Sequence, residues 1–351
     1  MKKRIEQYAK VLVFLILGIV LLWLITRGQD LDVILTELKN ANYLWIGLVM
    51  IISLLSHLMR ASRWNILIST TGYTPGLKQT FIAVMSGYLS NLAIPRLGEI
   101  TKCAALSKTG KIPFNILIGT VVSERVVDFI SLVVILIFTI GFQFGFVEGF
   151  LSEFFFRPLY TLGAQNIYLL ITVSVLLVVF MVSLALFLRK KLRDPESGSF
   201  FYRLRHHIKG FMTGVKTLWQ MKQKWVFFFQ TLAIWGMYYL TVYLAFFAIS
   251  GTSHLTPMAG LTLLAVGSIA IVAPMPGGIG AYHFVTIITL TELYDIVIEQ
   301  ATSYAYIAHA SQMLIIILAG TAAWVALSLF DKKQPLEKTS SRKYSFSQLN
   351  K

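Results

Sequence analysis

Apolar stretches follow one another almost end to end through this chain, and no polar segment between them is long enough to build a core of its own. A helix needs about 20 apolar residues to cross a bilayer. Stretches that meet or approach that length are 11–26, 43–59, 126–146, 167–188, 225–249 and 303–330. Two more are interrupted by proline and glycine: 79–107 around Ile94-Pro95-Arg96-Leu97-Gly98, and 256–290 around Pro274-Met275-Pro276-Gly277-Gly278. A shorter helix over 112–124 is expected to lead into the third span. Hydrophobic residues make up 56% of the chain and charged ones 13%, against roughly a quarter charged in soluble domains. Such a surface belongs in lipid. The fold class expected is an all-α polytopic membrane protein, with about six full spans plus two broken or re-entrant helical hairpins.

The N-terminal Met1-Lys2-Lys3-Arg4 and the apolar run from Val11 have the outline of a secretory signal, but Thr26-Arg27-Gly28-Gln29-Asp30 offers no small-x-small cleavage site. An uncleaved first span is the reading preferred. The single cysteine, Cys103, excludes an intrachain disulfide and a cysteine-rich metal site. A net charge of +15 would suggest nucleic acid in a soluble protein. In a membrane protein basic residues instead hold loops on the cytoplasmic side. With the N-terminus inside and each broken stretch returning to its own side, 27 of the 31 basic residues lie inside. Arg27, Lys39 and Arg157 lie outside, and Arg125 remains within a span. The cytoplasmic membrane, with both termini cytoplasmic, is the location expected.

The order span, span, broken stretch, span occurs twice, over about residues 1–146 and again over 167–330. One series starts inside and the other outside, so the halves form an inverted repeat. Interrupted segments at matching positions of inverted halves point to a transporter's binding site.

The first broken stretch is charged. Pro95 lacks an N–H and Gly98 permits unusual dihedrals, so the chain can turn there. Glu99 and Lys102 share a helix face with Arg96 at its start. Glu124, Arg125 and Asp128 follow, with Glu124 and Asp128 four residues apart on one face. A charge at mid-membrane costs about 3 kcal/mol or more, so such groups face a cavity or one another. Arginine grips phosphate bidentately and lysine adds a point charge. The two sets therefore suit an anionic lipid headgroup, or an internal cluster with Glu99–Arg125 or Asp128–Arg96 pairs. Both can hold at once.

The second broken stretch, through Pro276, Gly277, Gly278 and Gly280, carries no carboxylate or strong cation. Its glycines would free N–H groups at a helix start, a place that attracts phosphate. His283 and His309 are read first as hydrogen-bonded packing residues, with a proton-relay role as the alternative. No spacing resembles a metal site, and no cofactor is expected.

Residues 189–224 place Phe201, Leu204, Ile208, Phe211, Val215 and Leu218 at helical spacing among basic residues. This is a basic amphipathic segment suited to the inner leaflet. Residues 331–351 are polar and expected to be disordered. Asp30 and Asp32 in the first outer loop leave open a polyprenyl-phosphate-dependent glycosyltransferase. No other polar catalytic set accompanies them.

The pattern N-x3-P-x-x-GE-x-x-K from Asn91, then ER-x-x-D from Glu124, then P-x-PGG-x-G from Pro274, resembles the flippase-like membrane domain of lysylphosphatidylglycerol synthases, the multiple-peptide-resistance-factor proteins, which has many stand-alone relatives. The resemblance covers about residues 8–330. It implies a protein that carries a modified phospholipid or polyprenyl-linked lipid between leaflets. On the family's pattern Arg96, Gly98, Glu99, Glu124, Arg125 and Asp128 fall on typical motif positions. Lys102 stands where arginine is usual, and His283 where a glutamate commonly follows the glycine turn. The soluble aminoacyl-transfer domain has no counterpart here, so no enzymatic activity is expected. Membrane lipid is the partner implied, with no role for nucleic acid. A second copy of the chain or an envelope-lipid biosynthesis enzyme is also compatible, the latter even for a partner that transports nothing itself.

Sidedness is testable by cysteine labelling in a Cys103-free background. Single cysteines at Ser197 and Thr339 should resist an impermeant thiol reagent applied to intact cells. Labelling of either from outside would overturn the topology.

Overall fold

The computed structural model describes residues 16–143 apart from 18 and 25, then 221–272 and 275–333. Among these residues every regular element is a helix. Hydrocarbon offers no partner to a free N–H or C=O, so the helix, which satisfies its own, is the element that lipid permits. Residues 16–26 are helical where described. The elements that follow are α1 (Leu31–Lys39), α2 (Tyr43–Ser69), α3 (Leu77–Ala93), α4 (Leu97–Gly110) and α5 (Phe114–Phe142). After the gap come α6 (Lys224–Ala245), α7 (Pro257–Val272), α8 (Ala281–Tyr294) and α9 (Ile298–Lys333). The expected span 167–188, residues 189–220 of the amphipathic segment and residues 334–351 of the tail lie outside the described residues.

Three of the expected boundaries are corrected. The second span does not stop at 59: α2 runs 27 residues to Ser69 and carries Arg60 and Arg63 inside the helix. The separate helix expected over 112–124 does not exist, because Phe114–Phe142 is one 29-residue helix holding Glu124 and Asp128 in its middle. The first outer loop contains a short helix, α1. Asp30 caps it by accepting from the N–H groups of Asp32 and Val33, and Asp32 and Lys39 lie at the ends that suit the helix dipole.

Four helices are long and apolar enough to cross a membrane: α2, α5, α6 with its 3-10 extension to Ala248, and α9. At 1.5 Å per residue, the 27 residues of α2 reach about 40 Å. The arms of the broken stretches are shorter. α3 and α4 have 17 and 14 residues, and α7 and α8 have 16 and 14. At about 21–25 Å each, none matches a ~30 Å hydrocarbon core, and each pair packs as a hairpin.

The packing repeats. Under the exchange of α2 with α6, α3 with α7, α4 with α8 and α5 with α9, the pairs α2–α3, α3–α4, α4–α5 and α2–α5 have counterparts that also pack. So does α3–α9, whose counterpart is α7–α5. The matching helices α2 and α6 run antiparallel: the Asn42 N–H donates to the Ala248 carbonyl at one end of the pair, while Arg63 reaches Thr231 at the other. Antiparallel counterparts are what inverted halves require. Two pairs break the rule. α2 and α4 both pack on α9, but their counterparts α6 and α8 make no comparable contact with α5 among the described residues.

Close approach in lipid depends on small residues, because apolar side chains gain nothing there by leaving hydrocarbon. In the first hairpin Gly87 and Gly98 meet backbone to backbone. A Cβ on Gly98 would lie 2.6 Å from the Asn91 amide and closer still to the Gly87 carbonyl oxygen. Gly98 therefore serves contact rather than the turn. The turn itself is made by Arg96, whose φ of 67° is left-handed. The second hairpin turns on glycine, with Gly277, Gly278 and Gly280 all at positive φ. Gly98→Ala should cost about 1–3 kcal/mol through overpacking. Gly119→Ala on α5, where a Cβ meets nothing within 4 Å, should not destabilise. Thermal unfolding in detergent distinguishes them, and equal melting would refute the seam.

Candidate functional site

Arg60 and Arg63 leave one face of α2 and meet the face of α5 that carries Glu124 and Asp128. Arg60 donates through Nε to Glu124 Oε1 at 2.8 Å and through Nη2 to Asp128 Oδ2 at 2.5 Å. Arg63 Nη2 donates to Asp128 Oδ1 at 2.6 Å. From α4, Lys102 Nζ donates to Glu124 Oε2 at 2.6 Å and stands 4.5 Å from the centroid of the Trp64 ring. α6 completes the shell: the Tyr238 hydroxyl accepts from Arg60 at 3.0 Å and the Thr231 hydroxyl from Arg63 at 3.2 Å. Arg63 and Glu124 are wholly buried, and Arg60 and Lys102 nearly so. Each charge is expensive at this depth, and the shell returns the cost as short charge-assisted bonds.

Arg125 points from the same turn of α5 to a more open side. Its guanidinium lies 3.2 Å from Glu99 Oε1 and 3.7 Å from Asp128, and its side chain is about half exposed. Arg96 projects from the first hairpin tip, is exposed, and pairs with no carboxylate among the described residues.

Beside this cluster lies a cavity of about 480 Å³. Its charged wall is Arg60, Arg96, Arg125, Glu99 and Asp128. Its apolar wall includes Phe129 and Leu132 of α5, Trp235 of α6 and Ile271 of α7. Both hairpin tips close it, Pro95 and Arg96 from one and Met275, Gly277 and Gly278 from the other. The tips approach closely: a Cβ on Gly277 would meet the Leu92 side chain at 3.3 Å. The cavity sits between α5 and α6, where the twofold packing fails. A second cavity of about 260 Å³ shares Arg60, Trp235 and Tyr238 with it and continues between α6 and α7.

The second tip is held from α9, where His309 Nε2 lies 2.9 Å from the Gly277 carbonyl oxygen. His283 packs edge-on against His309, with ring centroids 4.7 Å apart, and its Nδ1 has no hydrogen-bond partner among the described residues. The N–H groups of Gly278 and Ile279, expected to be free, donate to the carbonyls of Met275 and Pro276.

Of the residues singled out in the sequence, Arg96, Glu99, Arg125 and Asp128 line the large cavity, with Pro95, Gly277 and Gly278 at its tips. Lys102 and Glu124 sit behind the wall, and Gly98 lies in the hairpin seam. Pro276 opens the second turn and Gly280 precedes α8. The Glu99–Arg125 pair forms. The Asp128–Arg96 pair does not, because Arg60 and Arg63 already occupy both Asp128 oxygens. These two arginines were the ones missed. A hydropathy window ends the second span at the first charge, which placed them on an inner loop. Their spacing, three apart directly after an apolar run, was the available signal.

The model of the lysylphosphatidylglycerol synthase TM region matches residues 9–320. The chain belongs to this family. It is also 29% identical over 171 residues to a UPF0104 membrane protein of Methanocaldococcus jannaschii. That match covers 47% of this chain and 50% of the relative, so the chain spans half the length of the curated relative it matches. No solved structure matches.

Arg63→Ala should strip Asp128 and Glu124 of a buried partner and cost about 3–5 kcal/mol, the usual penalty for breaking a buried pair. Lys39→Ala, at an exposed site on α1, should cost almost nothing. Melting temperatures in detergent measure both. An unchanged Arg63→Ala protein would show that the cluster does not hold the helices together.

Proposed function

We propose that the protein carries an anionic lipid headgroup across the cytoplasmic membrane, with no catalytic step of its own. One observation carries the reading: a cationic cavity lined by the tips of two hairpins from halves whose packing repeats. Discontinuous helices meeting between inverted repeats are how secondary carriers build a site that can open alternately. Irregular backbone is tolerated at such depth only where it lines protein or water, and both tips line this cavity. The charged wall suits a headgroup, while Phe129, Leu132, Trp235 and Ile271 offer an apolar surface to the chain attached to it. The His283–His309 pair, joined to the second tip through Gly277, is the group best placed to couple carriage to protons. An enzyme that makes or consumes the lipid is the partner this reading implies. The alternative built on Asp30 and Asp32 loses force because Asp30 is engaged as a helix cap.

Lipids retained through purification should be enriched in anionic species relative to the source membrane, measured by native mass spectrometry. Arg96→Ala and Arg125→Ala, at matched protein levels, should lose that enrichment, and should slow transbilayer movement of labelled anionic lipids in proteoliposomes by about tenfold or more, the worth of one charge-assisted contact. Lys39→Ala should match the unmodified protein. Equal effects from all three, or no enrichment in any, would reject a specific headgroup site.

A further inference from the structure

The charges around the cavity do not balance. Arg60, Arg63, Lys102, Arg125 and Arg96 are five cations, and Glu99, Glu124 and Asp128 are three carboxylates, so two positive charges are left over among the described residues. One of the two lies in the cavity lining, where Arg60, Arg96 and Arg125 face Glu99 and Asp128, and the other directly behind it, where Arg63 and Lys102 share Glu124. Arg60, Arg63 and Lys102 have their carboxylates within 2.8 Å. Arg125 is held less closely, by Glu99 at 3.2 Å and Asp128 at 3.7 Å. Arg96 keeps its whole guanidinium fork for another partner.

Arg96 also occupies a backbone conformation that disfavours it. At φ 67° a glycine or asparagine fits without strain, and an arginine does not. Strain of this kind, at a residue that lines a cavity and packs against no partner charge, is characteristic of binding sites. The charge at this position therefore serves something other than the turn.

We infer that the cavity takes a terminal phosphate, a phosphate monoester, in preference to a phosphodiester or an aminoacylated headgroup. The inference rests on the carrier reading above and narrows it. A monoester carries about −1.5 to −2 at neutral pH and presents three strong acceptor oxygens. That matches both the net surplus of two and the free guanidinium of Arg96, able to make two parallel bonds, on the same wall as Arg125, which Glu99 and Asp128 hold less closely than the inner cations are held. A phosphodiester has a single charge and leaves part of the surplus uncompensated. A lysylated phosphatidylglycerol is net cationic and adds to it. A polyprenyl phosphate and phosphatidic acid share the required headgroup. A soluble phosphate shares it too, but would leave the apolar wall of Phe129, Leu132, Trp235 and Ile271 uncovered.

The test is competition on the full-length protein in detergent, read by native mass spectrometry. The probes are dioleoyl phosphatidic acid, dioleoyl phosphatidylglycerol, its lysyl ester and inorganic phosphate. Phosphatidic acid should be bound over phosphatidylglycerol by about tenfold or more, as one further charge-assisted contact provides. Inorganic phosphate at equal concentration should not displace it. Arg96→Asn removes the charge while suiting the left-handed backbone, so folding is preserved and the preference should fall to about threefold or less. Arg96→Lys should retain most of it. Equal binding of the two anionic lipids, or preference for the lysyl ester, overturns the monoester inference and leaves the carrier reading standing. Displacement by inorganic phosphate assigns the site to a soluble ion and overturns the lipid source. Binding of no lipid overturns the carrier reading itself.

Discussion

Five ionised side chains held together within a membrane domain set the terms for everything around them. Arg60, Arg63, Lys102, Glu124 and Asp128 could not remain charged in hydrocarbon singly. Together they satisfy one another through bonds of 2.5–2.8 Å. Their partners come from α2, α4 and α5, and Tyr238 and Thr231 bring in α6. Lipid supplies no hydrophobic force to press helices together. A polar knot of this kind does that work, and it fixes the rotation of each helix about its axis, because a turned helix would expose a charge. The seam of Gly87 and Gly98 borders the same group: a Cβ on Gly87 would lie 3.1 Å from the Cβ of Lys102.

The knot has a second side. Its inner cations each have a carboxylate within 2.8 Å, whereas Arg96, facing the cavity, has none among the described residues. A buried side and a cavity side are thus divided along one group of charges, and the same α5 turn contributes Glu124 to the first and Arg125 to the second. Asp128 stands at the border. It neutralises Arg60 and Arg63, and it is also within reach of Arg125.

Much of this was legible in the residues. Glu124 and Asp128, four apart in an apolar context, announced a buried carboxylate face, and Glu99–Arg125 was readable as a pair. The two interruptions were visible as proline and glycine. What could not be read was reach. Arg60 finds Glu124 sixty-four positions later, and no local pattern shows that a charge has such a partner. Hydropathy therefore cut α2 short at the residues that anchor it. The same blindness explains the split of α5 into two helices: Glu124 and Arg125 looked like an end and are the middle. The role of Gly98 was misjudged for a related reason. Contact between Gly87 and Gly98 is a property of two helices, whereas the left-handed turn sits two residues earlier, on an arginine that propensity would not select.

The uneven distribution of ionic bonds also says which parts of the molecule can move. α2, α4, α5 and α6 are joined by the knot and can be displaced only as one body. α7, α8 and α9 are bound to that body by packing and by uncharged hydrogen bonds, from Tyr239 to the Pro257 carbonyl, from Tyr304 to the Val242 carbonyl and from Gln143 to Thr262 and Tyr294, while the His309–Gly277 contact lies within the second group. Contacts of that kind rearrange at less cost than buried ion pairs do. A change in access to the cavity would therefore be a rocking of the second hairpin and α9 against a fixed frame, with Gly277 as the point where the moving part rests on the still one.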